Sequence, residues 1–153
     1  MGRVLALVAA GLAVCIAGLL LAVYLGRDED NLQADNLLAE RFTRAVAQAE
    51  NPDEGTDGVV DLRSLAPFAW DRVLLVDPGT SRAAISRRLG REWTGIDTVD
   101  GGDLLIFLDG AKVARFADYR GNGRFAGFPR PFAQLPRARA VFRVHALVIR
   151  PGT

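Results

Sequence analysis

The pattern of apolar and polar positions divides the chain into three regions. From Val4 to Leu25 no residue is charged, and the run is dominated by Leu, Val, Ala and Gly. A helix of that length rises about 33 Å, enough to cross the hydrocarbon of a bilayer. The pattern predicts a transmembrane anchor that carries Val4, Leu12, Leu20 and Tyr24 into lipid. The run ends in Ala22-Val23-Tyr24-Leu25-Gly26, which lacks the small-x-small pair of a cleavage site, so an uncleaved anchor is expected. Arg3 lies on a short amino tail, whereas Arg27 is followed at once by Asp28-Glu29-Asp30. A short positive tail is expected to stay inside, which puts the remainder of the chain outside the cytoplasm.

The second region shows the helical period. Over residues 31–50, Leu38, Phe42, Ala45, Val46 and Ala49 form one stripe, with Glu40, Arg41, Arg44 and Gln48 mainly opposite. Asp30 or Asn31 is the expected amino cap, and Asn51-Pro52 the stop. The stripe is expected to pack on the chain's own domain, and its spacing also permits a homodimer through residues 31–50. Residues 51–58 read as a hinge by their Asn, Pro, Asp and Gly content.

The third region, 59–153, alternates between short strand patterns and one helix. Val59 to Leu62 is a short strand or an extended connector. Trp70 to Asp77 reads as a strand and Pro78-Gly79 as a turn. Thr80 or Ser81 caps a helix that runs to Leu89, with Gly90 as its C′ residue. Leu104 to Leu108 is apolar on both faces, the mark of a central strand. Asp109-Gly110 predicts a hairpin turn, and Lys112 to Tyr119 returns. Residues 120–136 read as a long loop and 139–150 as one last strand. The predicted class is α+β: a mostly antiparallel four-stranded sheet in the order β-α-β-β-β with one packed helix. The domains are then 1–26 (tail and anchor), 27–58 (acidic amphipathic helix and hinge) and 59–153 (the α+β body).

Charge changes this picture mainly through its distribution. The formal net charge is only +1 over 153 residues, so no global field steers a polyanion. Acids nonetheless dominate from Asp28 to Asp61, and none follows Asp118, while Arg120, Arg124, Arg130, Arg137, Arg139, Arg143 and Arg150 do. Either the two regions neutralise one another, or the basic end meets an anionic surface such as lipid headgroups or an envelope polymer.

Candidate chemistry is sparse. The single cysteine, Cys15, falls inside the apolar run, which excludes an intramolecular disulfide and a thiolate metal cluster. Val14 fills the place where a lipid-attachment box needs a small residue, so Cys15 is read as a packing residue. His145 is the only histidine and has no histidine or thiol in the body to work with. Gly121-Asn122-Gly123-Arg124-Phe125-Ala126 matches a dinucleotide string, but Pro129 and Pro131 forbid the helix that string must open. Asp97 to Asp103 has the acids and glycines of a cation loop without its spacing. No catalytic set, cofactor, metal or nucleic-acid partner is expected. Trp70 and Trp93 are expected in the core, each indole N–H with a partner.

Trp70-Asp71-Arg72-Val73, Pro78-Gly79-Thr80-Ser81, Ile85, Leu89-Gly90, Trp93, Leu105-Ile106-Phe107 and Lys112-Val113 together resemble a loose family of small bacterial envelope proteins. Those are uncharacterised secreted, lipid-anchored or membrane-anchored proteins. The resemblance covers about residues 68–128, implies an envelope location and carries over no site residue. The expected function is a membrane-anchored extracytoplasmic interaction or accessory module. Its contacts are membrane lipid through the amino-terminal helix, and an envelope protein or anionic polymer through Arg120, Arg124, Phe125, Arg130, Arg137, Arg139 and Arg143. The alternative is a small-ligand or hydrolytic domain in which Asp71, Asp77 and Asp97 converge.

Overall fold

The computed structural model describes residues 32, 34–50, 58–96 and 101–152. The chain divides into two units, Met1–Asn31 and Leu32–Thr153, and the second is α+β. The anchor expected over 4–25, with Val4, Leu12, Leu20 and Tyr24, lies outside the described residues, as do Asp30, Asn31, the hinge residues 51–57 and Asp97. Among the described residues no helix is long and apolar enough to cross a membrane.

Helix α1 (Asn36–Ala49) follows the predicted period but starts later than expected. Asp35 is its cap, its Oδ1 accepting from the Leu38 amide at 2.9 Å. Leu38, Phe42, Val46 and Ala49 are buried in the body itself. The stripe that also permitted a homodimer is therefore occupied by the chain's own core. The helix belongs to the same unit as the strands.

Among the described residues eight strands form two four-stranded sheets where one was expected. The first sheet has the order β4 (Lys112–Tyr119), β3 (Asp103–Asp109), β2 (Arg72–Val76), β6 (Phe132–Pro136), and every neighbour is antiparallel. The second has the order β1 (Gly58–Asp61), β7 (Val141–His145), β8 (Val148–Pro151), β5 (Arg124–Phe125), antiparallel except for the parallel β5–β8 pair. Two expectations fail here for identifiable reasons. The expected loop 120–136 contains β5 and β6, which find partners far away in sequence. The expected single strand 139–150 opens on a 3₁₀ turn (Arg137–Arg139) and reverses at Ala146-Leu147, both with positive φ (48° and 57°). Neither residue belongs to the usual turn set, so the reversal is invisible in composition.

The first sheet is buried on both faces, as its apolar β3 predicted. One face is covered by α3 (Arg82–Leu89) together with Trp93, Leu32 and Ala34. Ser81 caps α3, its Oγ accepting from the Ala84 amide at 3.3 Å. Gly90, at φ +69°, takes the left-handed closing position that a Cβ disfavours. Short helix α2 (Leu62–Leu65) leads into Trp70. The other face meets α1 and the inner face of the second sheet in one core. Phe42 is the hub: its ring lies 4.9 Å from Tyr119 and 6.0 Å from each of Phe125 and Phe142. Both tryptophans are buried with paired indoles, Trp70 Nε1 donating to Ala66 O at 3.1 Å and Trp93 Nε1 to Ile96 O at 3.0 Å. The β3–β4 turn is Gly110-Ala111, one residue beyond the predicted pair, since Asp109 pairs with Lys112.

Candidate functional site

The β7–β8 hairpin organises a basic sheet face. Alternation along β7 sends Phe142 and Val144 into the core and Arg143 out. The two-residue turn resets the phase, so Ile149 pairs with Val144 on the inside while Arg150 stands opposite Arg143 on the outside. Val59 of β1 flanks Arg143 on the other side, and Arg124 of β5 lies opposite Val148. Arg124, Arg143 and Arg150 thus share one solvent face with Val59, Val148 and His145. Among the described residues no acid pairs with these three arginines. Asp61, at the edge of the face, is taken by Arg63 at 2.7 Å, and that hydrogen bond holds its carboxyl below the usual range. The turn itself is tied down: Glu50 Oε2 accepts from the Leu147 amide at 2.6 Å, and Leu147 O accepts from the Arg124 amide at 2.9 Å.

The other residues expected at the contact surface go elsewhere. Arg120 bonds Asp118 at 2.6 Å and Arg130 bonds Asp77 at 3.1 Å. Arg137 lies over the Trp70 ring at 5.3 Å, and Arg139 is exposed on the 3₁₀ turn. Phe125 is buried among Phe42, Tyr119, Phe128 and Phe142, so it belongs to the core and not to a surface. Arg150, absent from the expected set, joins because the reversal at Ala146-Leu147 turns it outward.

The glycines of the Gly121-Asn122-Gly123 string have a packing reason. A Cβ on Gly121 would meet Tyr119 Cε2 at 2.5 Å, and one on Gly123 would meet the Tyr119 hydroxyl at 2.7 Å. That hydroxyl accepts from the Gly123 amide at 3.0 Å, so the string wraps a buried tyrosine rather than a phosphate.

A second cluster gathers where β2 ends and β3 begins. Asp103 stands opposite Tyr119, Asp77 follows β2, and Arg130 Nη1 lies 3.1 Å from Asp77 Oδ2. Burial, aided by the Asp77 charge and opposed by Arg130, pushes the Asp103 carboxyl up to about 6. Burial likewise raises the Tyr119 hydroxyl, with the Asp103 charge acting in the same direction and the Gly123 bond against it. Asp71 does not join Asp77, since it lies at the opposite end of β2, about 20 Å along the strand; Asp97, the third acid of the expected convergence, lies outside the described residues. Asp71 bonds Arg72 at 2.8 Å and the Gly110 amide at 3.0 Å instead. Among the described residues no group of three or more His, Cys, Asp or Glu is arranged to hold a metal.

A small pocket of about 130 Å³ lies at the start of α1, lined by Asp35, Leu37, Leu38, Arg41, Leu65, Pro67, Phe68 and Arg115. It is smaller than the few hundred Å³ of typical ligand sites. Partial burial pushes the Asp35 carboxyl up, but the Arg115 hydrogen bond (2.8 Å), the Leu38 amide and the charges of Arg115 and Arg41 outweigh it and hold it below the usual range.

Comparison of the chain with protein-family models, curated proteins and solved structures finds no match.

Proposed function

We propose that the chain is a non-enzymatic interaction module, tethered to a membrane by residues 4–25 and lying outside the cytoplasm, which docks an anionic partner through the outer face of its second sheet. The observation that carries this reading is the placing of Arg124, Arg143 and Arg150 on one sheet face with no acid paired to them among the described residues. Arg115, Arg130, Arg120 and Arg137 are instead used internally, by Asp35, Asp77, Asp118 and Trp70 respectively. The test is crosslinking of the full chain in its native membrane from a photoreactive residue at Val59, which sits beside Arg143. An adduct is expected from wild type and from Arg139→Glu, and its loss from Arg143→Glu/Arg150→Glu. An adduct that survives the double reversal overturns the reading. A reporter fused at Thr153 that is active only in the cytosol overturns the orientation.

The second reading, a small-ligand or hydrolytic domain, draws on the raised Asp103 carboxyl beside Asp77. Asp71 is too distant to join them, and the small pocket lies toward the other end of β4, at Arg115. The docking reading is therefore preferred.

A further inference from the structure

We infer that the anionic partner of this arginine face is the headgroup layer of a phospholipid membrane; the inference rests on the docking reading and narrows its ligand. The face mixes cations with exposed aliphatic groups. Val59 is 61% exposed beside Arg143, and Leu147, 38% exposed, tips the hairpin between His145 and Arg150. An acidic protein patch would satisfy the arginines alone, whereas a headgroup layer also accepts apolar side chains at its acyl boundary. The turn strengthens the point. Ala146 and Leu147 both adopt positive φ, where Asn and Gly are the usual occupants, so the chain keeps an exposed leucine at a strained tip.

The arginines lie in a plane. Arg143 and Arg150 are directly opposite on adjacent strands, and Arg124 is on the next strand. Strands are about 4.8 Å apart, so the three arginine positions are set out across the sheet face on two pairs of neighbouring strands, as a layer of headgroups would meet them. The strength of such a patch also fits a tether. Each arginine near an anionic surface adds about fivefold to partitioning, so three give about a hundredfold. That is weak for a protein free in solution and ample for one already held there at millimolar effective concentration. An anchor ending at Leu25 would hold Ala34 within about 30 Å of the hydrocarbon, the full reach of the intervening chain.

The test uses the full chain carrying Cys15→Ser and His145→Cys, with an environment-sensitive fluorophore on the new thiol. It is reconstituted in nanodiscs of phosphatidylcholine alone or with about 30% phosphatidylglycerol, where anionic lipid supplies the attracting potential. The expected result is a blue shift and quenching by spin-labelled lipid in the anionic discs only, reversed by about 0.5 M NaCl, which shortens screening to a few ångströms. Arg143→Glu/Arg150→Glu should reduce the lipid-contacting fraction more than about tenfold. Unchanged emission from Trp70 and Trp93 shows that the variant is folded. Equal signals in neutral and anionic discs, or a signal indifferent to charge reversal, overturns the inference. If the Val59 adduct forms and depends on Arg143 and Arg150 while the discs give no anionic response, the docking reading stands with an acidic protein or polymer as partner, and the lipid assignment falls. A chain that does not enter the discs removes the tether and the inference together.

Discussion

Replacing Asp103 by asparagine should make the protein more stable at neutral pH. The Asp103 carboxyl is raised from 3.8 to about 6 by burial and by the neighbouring Asp77. A raised acid binds its proton more tightly in the folded chain than in the unfolded one. Its contribution is therefore fully present below about pH 4 and is lost as pH rises through about 6. About two pH units correspond to about 3 kcal/mol at the ceiling. Asp103 is only half-buried, and solvent screening brings the expected gain to about 1–2 kcal/mol. Asn keeps the size and the polar contacts without the charge. Urea unfolding of the full-length protein in detergent, followed by Trp70 and Trp93 emission, would measure it at about pH 3, 5 and 7.5. The two proteins should converge at the acid end and separate through the middle of the range. Asp35 and Asp61, held below the usual range, lose stabilisation as pH falls, but they do so equally in both proteins and cancel in the difference. An Asp103→Asn protein no more stable than wild type at neutral pH refutes the reasoning, because Arg130 would then compensate the buried charge in full.

Three further outcomes follow from the packing. Phe42→Ala removes the ring shared by Tyr119, Phe125 and Phe142 and should cost about 3–5 kcal/mol, read as a lower urea midpoint at unchanged slope. Gly123→Ala places a Cβ 2.7 Å from the Tyr119 hydroxyl and 2.9 Å from Ile149 Cδ1, and should cost about 1–3 kcal/mol in thermal unfolding. Ala146→Asn/Leu147→Gly relieves two residues at positive φ and should stabilise by about 1–2 kcal/mol by the same assay, while weakening the anionic-disc signal through loss of the leucine tip.

What the sequence made legible was local. Helix α3 was readable to within one residue at its start, where Thr80 or Ser81 could cap, and to the residue at its end, because Ser81 and Gly90 act through bonds to their own neighbours. The buried face of α1 was readable because its period is strict, and β3 was recognisable as central because it is apolar on both sides. The unread elements depend on distant partners. Strand β5 has two residues and exists only by its parallel pairing with β8, and β6 sits between prolines and exists by pairing with β2. The same distinction governs the site. The arginines were visible as a basic run, but which of them share a face is a matter of register. Arg143 and Arg124 meet because β7, β8 and β5 are neighbours, and Arg150 meets them only because the chain reverses at Ala146-Leu147. Phe125 turns inward because its strand places alternate residues on opposite faces. Asp103 gave no signal, since its raised proton affinity comes from burial in the folded chain and from the neighbouring Asp77.

The route by which the chain enters the body has a mechanical consequence. Ala34 bridges Phe116, the Asp35 amide bonds Phe116 O at 2.8 Å, and the Asp35 carboxylate grips Arg115 at 2.8 Å, immediately before α1 carries Phe42 into the centre. A tug arriving from the amino-terminal side would load this clasp in shear, and once it gave way the force would fall on the helix seated in the interior. Asp35 is followed at once by α1, so a pull on Ala34 would pass from the clasp straight to the buried helix.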